Sequence, residues 1–139
     1  MKKAIFLFLA ICLISSIGLV SCSKSNEYDK LISGKKIKFY EFQQVSDGYE
    51  SGFYPCEEGE YIKFNSNHTY EWFIGEGFEN GKGKWSFDEV DDEYGDIWYY
   101  LEDEEYDYVW FAVCEDDEGK YYYGVIGYDY DECIEFYTD

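Results

Sequence analysis

From Lys36 onward the chain alternates apolar with polar residues in short runs, and this period of two constrains the fold more than any other feature. Successive side chains of a strand point to opposite faces of a sheet, so such a run has one buried face and one wet face. Eight runs read as strands: 36–45, 61–65, 68–74, 83–87, 96–101, 106–114, 120–128 and 133–138. Turn chemistry separates them. Asp47-Gly48, Asn65-Ser66-Asn67, the glycines 75, 77 and 81, and acidic clusters ending at Gly95 and Gly119 all punctuate the pattern. Beyond residue 21 nothing reads as a helix of useful length; Leu31 and Ile32 suit a short turn of helix.

Short links join neighbours antiparallel, which predicts a meander. Eight meandering strands hide their edges best by closing into a barrel. The expectation is therefore an all-β domain: an eight-stranded antiparallel meander closing on itself. Parity places Ile62, Phe64, Tyr70, Trp72, Trp85, Phe87, Ile97, Leu101, Ile134 and Phe136 inside. The 17 Tyr, 11 Phe and 4 Trp support a folded β domain, since aromatic residues favour strands and disordered acidic chains lack them.

The start of the chain follows a different logic. Met1-Lys2-Lys3 precedes an apolar run from Ala4 to Val20, broken only by Ser15, Ser16 and Gly18. A basic start, a short apolar core and small residues before the cut form a secretory signal. Leu19-Val20-Ser21-Cys22 resembles the bacterial lipobox, Leu-x-[Ser/Ala/Gly]-Cys. That resemblance implies cleavage before Cys22, with acyl chains on its thiol and its new amine. It also divides the chain: 1–21 signal peptide, 22–30 polar tether, 31–139 β domain. Ser23 after the cysteine implies, by the same resemblance, delivery to the outer membrane of a bacterial envelope.

Charge narrows the partners. The chain carries 11 Lys, no Arg and 31 acidic residues, a net charge of −20. Losing Lys2 and Lys3 with the signal takes the mature chain to −22. Nucleic acid binding rests on cations meeting phosphate, so that partner is excluded. The acidic body is expected to be repelled by an anionic membrane and to stand off on its tether.

A second resemblance lies in the middle of the chain. Cys56, then Tyr61-Ile62-x-Phe64-Asn65-x-Asn67-x-Thr69-Tyr70, then Gly83-x-Trp85-x-Phe87, is similar to the pattern of bacterial lipocalin-like lipoproteins. His68 stands where that family usually has Gly. The resemblance implies a lipocalin-like barrel. Barrels of this size are either filled by side chains or hold one small ligand.

Chemistry-bearing residues are few. His68 is the single histidine, and no nucleophile motif accompanies it, so neither a hydrolytic triad nor any other enzyme is expected. The acidic clusters fall between strands and match no EF-hand loop, so no metal site and no cofactor are expected. Cys56, Cys114 and Cys133 have no metal-ligand spacing; in an oxidising compartment they allow three different single bridges, each leaving one thiol over. Aromatic side chains remain. Trp72, Trp98, Tyr100, Tyr108 and Trp110 are the candidate contacts for a ligand or partner, because contiguous exposed aromatic area marks interaction sites. The expected function is a lipid-anchored binding protein holding a small apolar ligand in its barrel. The alternative is a surface module that meets protein or glycan through Tyr/Trp-rich strand faces.

Overall fold

In a computed structural model of the chain, the described residues are 27–56, 59–75 and 80–138. The expected leader, Cys22 and most of the expected tether lie outside them. The chain divides into two compact units, Met1–Leu31 and Ile32–Asp139. Of the first only residues 27–31 are described, as helix; the helical assignment runs on to Ile32.

The second unit is all-β. Its strands are β1 Lys36–Lys38, β2 Glu41–Ser46, β3 Tyr49–Glu50, β4 Tyr54–Pro55, β5 Tyr61–Phe64, β6 Thr69–Phe73, β7 Gly81–Val90, β8 Ile97–Leu101, β9 Tyr108–Asp116, β10 Gly119–Asp129 and β11 Glu132–Tyr137. Every pairing is antiparallel. The sheet order is β1-β5-β6-β7-β8-β9-β10-β11-β2-β3, with β4 also on β2. From β5 to β11, consecutive strands are neighbours, as a meander requires.

The barrel expected from the sequence does not close, and among the described residues eleven strands replace the eight. The sheet is an open, curled half-barrel. The reason lies in the first run. It breaks at Phe39-Tyr40 into β1 and β2, which pair with opposite ends of the sheet. The Phe39 N–H donates to Glu60 O at 3.3 Å, and the next N–H, of Tyr40, donates to Tyr137 O at 3.0 Å. The outer edge of β2 is then occupied by β3 and β4, through the pairs Val45↔Glu50 and Phe42↔Tyr54. No edge is left on β2 to meet β1.

The curl comes from β7. Its first half pairs with β6, as in Tyr70↔Gly83, and its second half with β8, as in Trp85↔Leu101. The register shifts between Phe87 and Glu89, a bulge that adds twist. Aromatic rings fill the concave side. Phe64 meets Phe111 at 4.8 Å, Trp72 meets Phe136 at 5.3 Å, and Phe39 meets both Trp72 and Phe136 within 5.5 Å. Burying each such side chain contributes roughly 1.5–3 kcal/mol. Eight of the residues placed inside by parity are buried; Phe87 and Ile97 are only half-buried.

Candidate functional site

The convex side of β8–β11 carries a second, smaller set of apolar residues. Val45, Val125 and Cys133 are buried there, with Tyr108, Trp110 and Tyr123 packed against them. Cross-strand register explains the grouping, because directly opposed residues share a face. Trp98↔Ala112, Ala112↔Tyr123 and Tyr123↔Tyr137 make one row across four strands. Tyr100↔Trp110, Trp110↔Val125 and Val125↔Glu135 make the next.

Ring contacts knit the rows. Tyr100 lies 5.1 Å from Trp110, Trp98 lies 5.8 Å edge-on to Tyr123, and Tyr123 lies 5.2 Å from Tyr137. Phe53 adds an edge contact to Tyr137 at 5.5 Å. Ala112 is the one small side chain in its row, and the Trp98 and Tyr123 rings on either side meet across it. Most of these rings are half-exposed, and Tyr100 is 36% exposed.

One carboxylate sits among them. Glu135 accepts a hydrogen bond from the Tyr123 hydroxyl at 2.8 Å on Oε1 and from the Tyr137 hydroxyl at 3.1 Å on Oε2. Burial, then the charge of Glu135, pushes both phenols upward, so both stay neutral donors. Burial and the neighbouring Cys133 and Glu135 push Tyr108 the same way. Gln43, buried at the margin, donates to Glu50 Oε2 and to Ser51 O, both at 3.1 Å. The surface therefore combines flat rings with a carboxylate and fixed phenol hydroxyls. Beside Tyr100 it continues into an open groove of ≈ 620 Å³ that also touches Lys82, Lys84 and Glu102.

Four of the five sequence candidates thus share this face: Trp98, Tyr100, Tyr108 and Trp110. Trp72 does not join them. It is 1% exposed on the concave side, where its indole packs on Phe39 and Phe136. Tyr123, Glu135, Tyr137 and Gln43 belong to the face but were not singled out. Parity in β10 and β11 pairs Tyr123 with Val125 and Glu135 with Tyr137, yet only the cross-strand register brings the two pairs together.

The other chemistry-bearing residues have structural roles. His68 holds a left-handed backbone, φ 63°, and stacks on Trp85 at 4.3 Å and 7° between planes. Asp103 is fully engaged: Oδ2 accepts from the Tyr70 hydroxyl and the Lys82 N–H, Oδ1 from the Glu105 and Tyr106 N–H groups. Cys56, Cys114 and Cys133 are all free thiols, so none of the three possible bridges forms. Among the described residues no group of three or more His, Cys, Asp or Glu is placed to hold a metal ion. No protein-family model, no curated protein and no solved structure matches the chain.

Proposed function

We propose that this chain is a lipid-anchored binding protein of the bacterial envelope that works through the convex Tyr/Trp face of β8–β11. The observation that carries the reading is the continuous ring surface running from Trp98 and Tyr100 to Tyr137, with Glu135 at its centre. The partner that fits is a neutral glycan. Sugar rings offer apolar C–H faces to half-exposed aromatics and hydroxyl donors to a carboxylate. A mature charge of −22 disfavours an acidic polymer.

Holding an apolar ligand inside the sheet draws less support. The Trp72 indole reaches across the concave side so closely that a Cβ on Gly124 would stand 2.7 Å from it. The lipocalin-like resemblance is kept as a proposal about the meander order of β5–β11 alone.

Tryptophan emission of the mature lipoprotein, titrated with neutral oligosaccharides, tests the reading. Binding should persist at high salt, since ring contacts are not screened as exposed charges are. Trp98→Ala with Tyr100→Ala should weaken it about tenfold or more, as expected for central aromatic anchors. Glycan binding that survives this double substitution would move the site elsewhere. Binding of a protein but no glycan, abolished by the same pair, would keep the face and replace the partner.

A further inference from the structure

We infer that the convex face of β1, β5, β6 and the first half of β7 is a docking surface for anionic lipid headgroups, which holds the tethered domain to the membrane by that side. The inference rests on acylation at Cys22, and it concerns a lysine patch that meets the aromatic face only across the groove between Lys82, Lys84 and Tyr100.

Lysines are scarce in this chain, and they are not spread evenly. Residues 32–138 contain seven: Lys35, Lys36, Lys38, Lys63, Lys82, Lys84 and Lys120. Register puts five of them on one face. Lys36 opposes Lys63, and Lys63 opposes Glu71, which opposes Lys82; Lys38 opposes Tyr61, and Thr69 opposes Lys84. All five lysines are exposed. Glu71 is the one acid on this face of the four strand segments, in a chain with 31 acidic residues.

Folding accounts for Lys63 and Lys82, which flank Glu71 as opposite-charge pairs, but not for the rest of the arrangement. Like charges directly opposed across two strands destabilise the pair, and Lys36↔Lys63 is such a pair. With acids so abundant, an opposite-charge partner was available by composition at any of these sites. Beyond Lys82 and Lys84 the face is bordered by Glu102, Asp103 and Glu104 across the groove. Glu57, Glu58, Glu76 and Glu79 fall outside the described residues.

The neutral residues of the face also suit a headgroup layer. The Lys36 Nζ lies 3.9 Å over the Tyr61 ring, which stacks on Phe73 at 5.9 Å. Phe73 is 39% exposed. Aromatics beside lysines are what the interfacial zone of a bilayer favours. At the β1 edge the lysines line a shallow groove of ≈ 360 Å³ with Tyr40, Tyr122 and Thr138, and no carboxylate is among its lining residues.

Width decides between a soluble anion and a membrane. Strands lie about 4.8 Å apart, and the cations sit on β1, β5 and β7, the first, second and fourth of four neighbours, so they span roughly 15 Å. That is wider than one phosphate and matches several headgroups. Connectivity brings the face within range. Lys35 follows Cys22 by 13 residues, a reach of at most about 45 Å even fully extended. The acidic body is then repelled everywhere except on this side, and the tether selects an orientation rather than only a distance.

Lysine footprinting on the mature, full-length lipoprotein tests this. The protein is reconstituted into vesicles of phosphatidylcholine alone or of phosphatidylcholine with phosphatidylglycerol, then briefly acylated and read by peptide mass. Labelling of Lys36, Lys38 and Lys63 should fall about fivefold relative to Lys120 in the anionic vesicles, and high salt should restore it. Lys36→Glu with Lys63→Glu should abolish the protection of Lys38, with an unchanged circular dichroism spectrum as the folding control. Equal labelling of all lysines in both vesicle types overturns the inference. Equal protection by inorganic phosphate over neutral vesicles overturns it too, in favour of a soluble anion. The N-terminal peptide in the same digest reports the acyl chains. Without them the tether reading fails and the docking with it; with them, unprotected lysines sink the docking alone.

Discussion

The Trp72 indole stands where Gly124 would carry a side chain: a Cβ there would lie 2.7 Å from Cη2 and 3.1 Å from Cζ2 of the ring. A glycine on β10 and a tryptophan on β6 therefore share one space at the centre of the concave side. Gly124→Ala should cost about 1–3 kcal/mol, the range for overpacking a dense core. Trp72→Phe in the same background should recover part of that loss, because the shorter ring vacates the contested space. Denaturant titrations of the two single variants and the double give the coupling. Strictly additive losses would show that the two residues do not compete.

Gly83 makes a tighter approach, and to backbone. A Cβ at Gly83 would fall 1.7 Å from Glu102 O, at the point where Glu102 N–H donates to Lys84 O at 2.8 Å. Neither partner is a side chain that can swing away. Gly83→Ala should destabilise by more than about 4 kcal/mol, an exceptional loss for one methyl group. The urea midpoint, or soluble yield if the variant does not accumulate, measures it. A loss under about 1 kcal/mol would mean that β7 and the Glu102 backbone separate freely.

Alkali should unfold the domain through its thiols and phenols. Burial first, then the Asp96 carboxylate, pushes the Cys114 thiol from the ordinary 9.0 up to about 12. Burial first, then Glu135 and the acids of the β10–β11 turn, pushes Cys133 to about 11. Each raised value means the folded state holds the proton more tightly than the unfolded one. Their contribution is whole below pH 9.0 and is lost as pH rises through about 11 and about 12. The urea midpoint should decline from pH 9.0 upward, and Cys133→Ala should flatten that decline. A midpoint independent of pH in this range would contradict the assignment. The same shifts, with a like upward push on Cys56 from burial and then Glu60, predict slow reaction of all three thiols with a disulfide reagent at neutral pH, becoming fast in denaturant.

Glu135 ties the aromatic face together through Tyr123 and Tyr137. Tyr123→Phe keeps the ring against Trp98 and removes the 2.8 Å donor. Hydrogen bonds to a charged group contribute about 1.5–3 kcal/mol when buried, and this one is part-buried, so about 1 kcal/mol is expected. Adding Tyr137→Phe should cost less than the sum, because a carboxylate free of both phenols turns to water. Thermal unfolding of the four-member cycle reads this. A double variant losing more than the sum would show that the two hydroxyls support each other instead.

Much of the strand pattern was legible in the sequence because alternation is local. The run read at 61–65 is β5 Tyr61–Phe64, the run at 96–101 is β8 Ile97–Leu101, and the run at 133–138 is β11 Glu132–Tyr137. Parity within a strand was legible for the same reason: Tyr99 and Phe111 turn inward while Trp98 and Trp110 turn outward. His68 departs from the Gly usual in the lipocalin-like pattern, and it holds a φ of 63°, which glycine adopts more easily.

What the sequence could not show depends on residues far apart along the chain. The apolar parity slips at Phe39-Tyr40, from Ile37 and Phe39 to Tyr40 and Phe42, but the slip alone names no new partner; the chain changes partners there because Glu60 and Tyr137 offer carbonyls on opposite sides. Trp72 and Trp110 look alike as strand tryptophans; only the curl at β7 puts the first inside and the second outside. The five lysines of the basic face come from three segments, β1, β5 and β7, and align only by register. Local sterics and polarity settle which residues extend and which way they alternate. Which edge finds which, and which face ends up concave, is settled by pairing and packing over the whole sheet, and only the tertiary structure carries it.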